Sequence, residues 1–316
     1  MTQLGRNVSV GQVSSFHEVK AQKGKNMIQL IASDMDGTLL NDEMEISSEN
    51  IAAIKKVQAA GLEFVVATGR SIEEAQPILQ AAGIKCCYIT SNGAQIFDEA
   101  GQNIFTVGIE KEKLALAMPI LRQHQIYFEL FTDHGGFTEN IDDRIASVAH
   151  WLKSTSPNLS EVEAFKIAES HMATLPINFV SDFQEVLDNP EVTVLKIFAM
   201  GQIDDPALLL AKADLSQIPN LSVTSSGANN IEVNHEAAQK GQSLQKVTEL
   251  LSLSLSNVAA LGDNFNDMSM IATAGLGIAM ANAEDEVKAI AKYTTVTNVE
   301  NGVAYAVDRI LAGEWQ

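Results

Sequence analysis

A buried strand that ends in two carboxylates is the feature of this chain that most restricts its fold. The segment IQLIASDMDGTLL, residues 28–40, begins as a near-continuous apolar run and continues into Asp34 and Asp36. Uninterrupted apolar runs are typical of parallel strands that are covered on both faces. Side chains two residues apart leave a strand on the same side, so we expect both carboxylates at its carboxyl end. Open parallel sheets bind their ligands at that edge.

The same strand pattern recurs near both ends of the chain, with helical segments between the strands. Buried strands are predicted at 28–32, 64–67, 86–89, 258–261, 276–280 and 293–297. Helix signals are clear as well, such as the S-x-x-E capping box of Ser71 and Glu74. This alternation predicts an α/β fold whose core is a doubly wound, Rossmann-like parallel sheet.

The pattern changes in the middle of the chain. Between residues 112 and 221, helical patches alternate with isolated β-rich runs, which predicts an inserted α+β domain. The core is therefore expected in two parts, 27–111 and 222–316. Residues 1–26 show no periodicity and are predicted to be a disordered extension, with Met27 as the functional start.

Composition excludes several classes of protein. The 316 residues suggest about two domains, and the net charge of -19 argues against a nucleic-acid partner. No apolar run reaches the length of a membrane-spanning helix, and the first 26 residues do not resemble a signal peptide, so we expect a cytoplasmic protein without a membrane partner. The two cysteines, Cys86 and Cys87, are adjacent and cannot form a disulfide bond that joins distant segments. The oligomeric state is not determined by these features.

The candidate catalytic and binding residues follow predicted core strands or lie near the starts of predicted helices. They are Asp34, Asp36, Thr68, Lys240 and the segment from Asp263 to Asp267. Each pair of carboxylates ~4 Å apart repels by about 4 kcal/mol at an effective dielectric of ~20. A divalent cation removes this repulsion, and an all-oxygen ligand set favours Mg²⁺.

With a metal bound, these residues suit phosphoryl transfer. Asp34 can attack as an ionised carboxylate, and Asp36 can protonate the leaving oxygen and later deprotonate the hydrolytic water. The Thr68 hydroxyl and the Gly69 amide can hold phosphoryl oxygens, while Lys240 supplies positive charge.

Four motifs occur in the order known from the haloacid dehalogenase superfamily. They are DMDGT at 34–38, ATGR at 67–70, QKG at 239–241 and GDNFND at 262–267. Further segments resemble the Cof-type branch of phosphatases with a class IIB α/β cap: SNGA at 91–94, LGIAMANA at 276–283 and ENGVAYAV at 300–307. The resemblance runs from Met27 to near the C-terminus, and it implies a haloacid dehalogenase core with an inserted cap.

The resemblance implies a catalytic and metal-binding set. Asp34 is expected to be the nucleophile and a metal ligand, and Asp36 the general acid and base. Asp36 is also expected to contact Mg²⁺ through its backbone or its side chain. Asp263 is the third expected ligand, with Asn264 as a further contributor.

The resemblance also implies a phosphate-binding set and supporting residues. The phosphate contacts are expected from the Met35 backbone, Thr68, Gly69, Lys240 and Asn266. Asp267 is expected to orient either the metal shell or Lys240. Arg70 either pairs with an acidic neighbour or helps to hold the substrate. The segment HEAA at 235–238 departs from the family pattern and leaves the approach of Lys240 open.

Asp133 and His134 are the most suggestive polar residues of the insert. They lie in the segment TDHGG at 132–136, which suits either a cap loop that selects the substrate or an ordinary turn.

The leading functional hypothesis is a Mg²⁺-dependent phosphomonoester hydrolase that acts on small phosphorylated metabolites, such as sugar phosphates. A phosphosugar mutase is the alternative among enzymes, and it would retain phosphate on the sugar. A receiver-like phosphoacceptor switch is the alternative from another class, and it would stop after one phosphoryl group.

Overall fold

The computed structural model describes residues 28–156, 158–174, 177–202, 205–227 and 229–316. The predicted disordered extension, residues 1–26, and Met27 lie outside the described residues. The chain forms two compact units. The core unit comprises the described residues up to Thr106 together with Ala237–Gln316, and the insert unit comprises Val107–Glu236.

The described strands belong to two sheets. In chain order they are β1 (Leu30–Ser33), β2 (Glu63–Ala67), β3 (Cys87–Thr90), β4 (Gln95–Phe97), β5 (Asn103–Thr106), β6 (Tyr127–Thr132), β7 (Gly135–Thr138), β8 (Ile177–Phe179), β9 (Val194–Met200), β10 (Leu221–Thr224), β11 (Asn230–His235), β12 (Val258–Gly262), β13 (Leu276–Ala279) and β14 (Tyr293–Thr294). The core sheet has the order β14-β13-β12-β1-β2-β3-β4-β5, and the insert sheet has the order β10-β11-β9-β6-β7-β8.

The helices lie between these strands in the chain, except for the last one, which follows β14. In chain order they are α1 (Ser48–Ala59), α2 (Ile72–Ala81), α3 (Lys111–Gln123), α4 (Ile141–Thr155), α5 (Glu161–Thr174), α6 (Gln184–Asp188), α7 (Pro206–Leu215), α8 (Lys240–Leu250), α9 (Met268–Thr273), α10 (Asp285–Ile290) and α11 (Gly302–Leu311). The predicted capping box at the start of α2 is present, with the Ser71 N–H donating to Glu74 Oε2 at 2.9 Å.

The predicted doubly wound parallel sheet is confirmed in the core unit. Strand β1 pairs in parallel with β2 on one side and β12 on the other, and all four of its residues are buried. Helix residues such as Ile54 and Val307 cover one face of the sheet, and Leu244 and Val247 cover the other. Two antiparallel strands, β4 and β5, extend one edge beyond the predicted parallel part.

The insert unit has a core of its own, as expected for an α+β domain. Its sheet is largely antiparallel, with β9 between β6 and β11. One sheet face packs against α3 and α7 through residues such as Leu121, Leu130, Ile197 and Leu215, all of which are fully buried. Helices α4 and α5 pack against each other around a smaller cluster of alanines at positions 149, 164 and 168.

The predicted boundary at residue 221 was too early. Strand β11 pairs with β9 from Asn230 opposite Met200 to Asn234 opposite Lys196, and β10 pairs with β11. Because β10 and β11 pair with strands of the insert sheet, the insert unit extends to Glu236. The polar stretch 216–227, which includes the predicted boundary, contains β10. At the other boundary, the core unit ends at Thr106, the last residue of β5, rather than at 111.

Candidate active site

The predicted site residues of the core unit meet at the carboxyl ends of neighbouring parallel strands. Asp34 follows β1, Thr68 follows β2 and Asp263 follows β12. Lys240 is the first residue of α8. Since β1 lies between β2 and β12, the three strand ends are adjacent in the sheet.

A buried ion triplet lies at the centre of this edge. Lys240 Nζ is 2.6 Å from Asp34 Oδ1 and 2.6 Å from Asp267 Oδ1. All three side chains are at least nine-tenths buried. Burial lowers the pKa of Lys240, but the charges of Asp267 and Asp34 together raise it by more than burial lowers it. The pKa of Lys240 therefore lies above its ordinary value, and the ammonium group stays charged.

The carboxylates carry more negative charge than Lys240 balances. Burial raises the pKa of Asp34 well above its usual range, and the charge of Asp267 adds to this effect. Burial, followed by the charge of Asp267, raises the pKa of Asp263 to about 7, although a hydrogen bond from the Thr38 hydroxyl at 2.8 Å opposes the shift. This edge is therefore an electrostatically unfavourable site that additional positive charge would stabilise.

The donor set suits a divalent cation. Asp34, Asp263 and Asp267 place carboxylate oxygens within 4.8 Å of one another. Asp267 uses Oδ1 to hold Lys240, and its Oδ2 accepts from the N–H groups of Asp263 and Asn264 at 2.9 and 3.0 Å. Asp267 thus uses both oxygens to hold Lys240 and the loop after β12. Asp34 and Asp263 each have a second carboxylate oxygen, which is the type of ligand that Mg²⁺ prefers.

Asp36 lies beside the cluster but its side chain is bound elsewhere. Arg70 donates from Nε to Oδ2 at 2.8 Å and from a terminal nitrogen to Oδ1 at 2.5 Å, so the pair is bidentate. Of the two alternatives for Arg70, the structure shows the one in which it pairs with an acidic neighbour. The Asp36 side chain is 46% exposed and is therefore accessible to a ligand.

The predicted phosphate-binding residues lie around the same edge. Thr68 is fully buried, and its hydroxyl accepts from the Arg70 N–H at 3.1 Å across Gly69. The Met35 side chain is fully buried in the core, so only its backbone is placed to meet a ligand. The Asn266 amide donates to Asn92 Oδ1 at 3.1 Å.

Asn264 is committed to its own turn. Its side-chain oxygen accepts from the Phe265 N–H at 2.8 Å and caps the short helical turn that carries Asn266 and Asp267. The amide oxygen has a second lone pair, so a ligand role for the Asn264 side chain stays a prediction.

Comparison with known proteins identifies the family. The family model of haloacid dehalogenase-like hydrolases matches residues 31–307. The chain belongs to this family. It is 32% identical over 286 residues to the phosphatase YwpJ of Bacillus subtilis (strain 168), covering 90% of this chain and all of that protein. It is also 32% identical over 289 residues to the 5-amino-6-(5-phospho-D-ribitylamino)uracil phosphatase YwtE of the same organism, covering 91% of this chain and all of that protein.

A solved structure supports the same assignment. A haloacid dehalogenase-like hydrolase from B. subtilis superposes with a TM-score of 0.79 at 31% identity, covering 89% of this chain and 99% of that chain. The resemblance to Cof-type phosphatases is confirmed, and the enzyme is a phosphatase of the haloacid dehalogenase family.

Sequence reasoning missed three residues whose side chains contact this candidate site. Thr38 bonds Asp263, Asn92 bonds Asn266, and Asn282 Nδ2 donates to the Gly37 carbonyl at 2.8 Å. All three lie within motifs that carried the family resemblance but had no role assigned to them. The signal for Asn92 was its Asn-Gly sequence directly after a strand, which favours a left-handed turn.

In the insert unit, Asp133 and His134 form part of the turn between β6 and β7. Asp133 Oδ1 lies 3.0 Å from His134 Nδ1 and accepts from the Thr193 N–H at 2.8 Å. The Thr132 hydroxyl donates to the Gly135 carbonyl at 2.9 Å. These contacts are those of an ordered turn, and a role in substrate selection stays a prediction.

Among the described residues, none of the helices combines the length and the apolar character needed to cross a bilayer.

Proposed function

We propose that this phosphatase hydrolyses phosphomonoesters of small metabolites with the help of Mg²⁺ and through an aspartyl-phosphate on Asp34. The observation that carries the proposal is the buried Asp34 carboxylate, held at 2.6 Å by Lys240 beside Asp263 and Thr68. A carboxylate oriented by a cation at a phosphate-binding edge suits attack on phosphorus.

The proposed reaction has two steps. Asp36 leaves its contact with Arg70 and takes up a proton from solvent. Asp34 then attacks the phosphorus atom while Asp36 donates this proton to the leaving oxygen. A water molecule then attacks the phosphorus atom and gives its proton to Asp36, which frees Asp34 and inorganic phosphate. Thr68, Gly69, Lys240, Asn266 and the Met35 backbone hold the phosphoryl oxygens during both steps.

Asp34, Asp263 and the Asp36 backbone carbonyl are the groups that would hold Mg²⁺. When bound, the ion supplies the positive charge that the carboxylates and the phosphate require. EDTA is expected to abolish activity and Mg²⁺ to restore it, and full activity in EDTA would contradict this part of the proposal.

The proposed substrate class is a small phosphorylated sugar, polyol or similar metabolite. The relative YwtE is named for a substrate with a phosphorylated ribityl chain, which supports this class. A panel of phosphorylated metabolites, assayed for release of inorganic phosphate, tests it. Transfer of phosphate within a sugar without release would indicate a mutase instead.

Trapping the covalent intermediate tests the mechanism directly. Borohydride reduces an acyl phosphate, so treatment during turnover is expected to convert Asp34 into homoserine, which peptide mass spectrometry detects. Asp34→Asn is expected to abolish both the product and turnover. Asp36→Asn is expected to slow turnover by ~10²- to 10⁴-fold. An unmodified Asp34 in a turning-over enzyme would contradict the mechanism.

We further propose that the enzyme works in the cytoplasm without a nucleic-acid or membrane partner. The net charge of -19 opposes binding to phosphate backbones. Cys86 and Cys87 are free and buried, as suits a reducing compartment.

A further inference from the structure

A strained turn follows β3 in the core unit. Residues 91–93, here called the asparagine turn, have consecutive positive φ angles of 49° at Ser91, 60° at Asn92 and 101° at Gly93. Residues that carry a Cβ atom rarely adopt positive φ angles, because the left-handed conformation brings Cβ too close to the backbone. Ser91 and Asn92 are only 3% and 4% exposed. Such strain persists where surrounding contacts enforce it, and it is concentrated at functional sites.

Backbone contacts tie the asparagine turn to the loop after β2. The Asn92 N–H donates to the Thr68 carbonyl at 3.0 Å, and the Ser91 N–H donates to the Arg70 carbonyl at 2.9 Å. The turn therefore holds both ends of the segment in which Thr68 and Gly69 are proposed to bind phosphate.

The same turn packs against the start of α8. The Ser243 hydroxyl donates to the Gly93 carbonyl at 2.7 Å. A Cβ atom added to Gly93 would lie 2.6 Å from the Gln239 carbonyl oxygen. The helix that begins at Lys240 thus approaches the turn as closely as a glycine allows.

The Asn92 side chain makes the third connection. Its Oδ1 accepts from Asn266 Nδ2 at 3.1 Å, which joins the turn to the loop after β12. An amide nitrogen carries two hydrogens in one plane. Holding one of them fixes that plane, and with it the direction of the second hydrogen.

We propose that Asn92 is a positioning residue that orients the Asn266 amide toward the phosphoryl group. The inference rests on the proposed function, in which Asn266 contacts phosphate. Asn92 itself does not touch the reacting atoms. The strain of the turn is retained because this backbone conformation places Asn92 Oδ1 against Asn266 while its N–H holds Thr68.

The test removes the Asn92 amide while keeping the turn. Glycine adopts positive φ without strain, so Asn92→Gly keeps the backbone contacts to Thr68. Its kcat/KM for p-nitrophenyl phosphate is expected to fall by ~10- to 100-fold, the effect of a misplaced binding group. The inhibition constant of inorganic phosphate is expected to rise. An unchanged kcat/KM would overturn the proposal.

A double-mutant cycle shows whether Asn92 acts through Asn266. In the Asn266→Ala background, Asn92→Gly is expected to change kcat/KM by less than about twofold, since its target is gone. If the fold-loss of kcat/KM in the double variant equals the product of the losses in the two single variants, the proposal is overturned. If Asn92→Gly does not fold, Asn92→Ala replaces it in the same cycle, because alanine also lacks the oxygen that accepts from Asn266, and both outcomes are read in the same way.

Asn220→Gly is the matched control. Asn220 also has a positive φ, 68°, but it is exposed and lies in the insert unit. Its kcat/KM is expected to be unchanged, and thermal unfolding confirms that both variants fold. The borohydride experiment on the wild type is independent of Asn92. A trapped Asp34 with a fully active Asn92→Gly therefore removes this inference and leaves the proposed function intact.

Discussion

Lys240 shows how strongly one side chain can influence this site. Its ammonium group is enclosed between Asp34 and Asp267, which are 206 and 27 residues away in the chain. Two buried carboxylates without a partner would be costly, so the lysine contributes to folding as well as to the proposed chemistry.

Removing the Lys240 charge tests this dual role. Lys240→Met is expected to lower the free energy of unfolding by about 3–5 kcal/mol, because it leaves two buried carboxylates without their counter-ion. Urea unfolding in EDTA measures this change without a metal contribution. Lys56→Met is the control, because its ion pair with Asp308 at 2.9 Å is more than half exposed on both sides. The control is expected to be nearly neutral, and equal losses in the two variants would contradict the argument.

The two cysteines give a second prediction for individual residues. Burial raises the pKa of Cys86 to about 12 and raises the pKa of Cys87 as well. The reactive thiolate is therefore scarce at pH 8, and we expect negligible modification of the native protein by iodoacetamide. Both thiols should react after unfolding in urea, as mass spectrometry would show. Rapid modification of the native protein would disprove their burial.

At the scale of elements, the loops after the core strands form the site. Each parallel strand ends at the same edge, so short loops from distant parts of the chain meet there. The loop after β1 is tightly packed, since Gly37 has a φ of 76° and a Cβ atom there would lie 2.4 Å from Asp263 Oδ2.

Two glycines with nearly equal positive φ angles, Gly37 in this loop and Gly61 after α1, allow the effect of backbone strain to be distinguished from the effect of close packing. Gly61 has a φ of 77° but nothing within 4 Å of an added Cβ atom. Gly61→Ala is expected to cost about 1 kcal/mol of stability from strain alone and to keep kcat. Gly37→Ala has the same strain and in addition displaces Asp263. We therefore expect a larger loss of stability and a fall in kcat of ~10-fold or more. Urea unfolding and steady-state kinetics compare the pair, and equal activity in the two variants would contradict the close packing.

The strands differ in how well their sequences predicted them. Strands β1, β2 and β12 are continuous apolar runs, and all three were predicted. Strands β4 and β5 were not predicted, because both are short and β5, the edge strand, is largely half-buried or exposed and has a weak apolar pattern. Strand β11, NIEVNH, was not predicted either. Its alternation of apolar and polar residues is typical of a strand but does not indicate which sheet it joins.

At the scale of the whole molecule, two hydrophobic cores divide the chain. The insert unit buries its own cluster around Leu121, Leu130, Ile197 and Leu215, while the core unit is complete only when residues from both ends of the chain combine. Contacts within each unit are sufficient for an independent core.

The insert unit is therefore expected to fold by itself. A fragment of residues 107–236 should show a cooperative thermal transition by circular dichroism, because its sheet and packed helices come from this segment alone. The shorter fragment 112–221 is the comparison. It lacks β11, which pairs with both β9 and β10, and it should not unfold cooperatively. A cooperative 112–221 fragment would contradict the revised boundary.

The sequence by itself determined the α/β core, the presence of an insert, and the positions of Asp34, Thr68 and Asp263 after buried strands. These features follow from local patterns, since apolar runs, capping residues and glycines act over a few neighbouring residues. Tertiary structure alone decided that Arg70 binds Asp36, that Lys240 lies between Asp34 and Asp267, and that β11 belongs to the insert. The physical reason is that these contacts join residues far apart in the chain. Their partners depend on strand order and pairing, which no local pattern encodes.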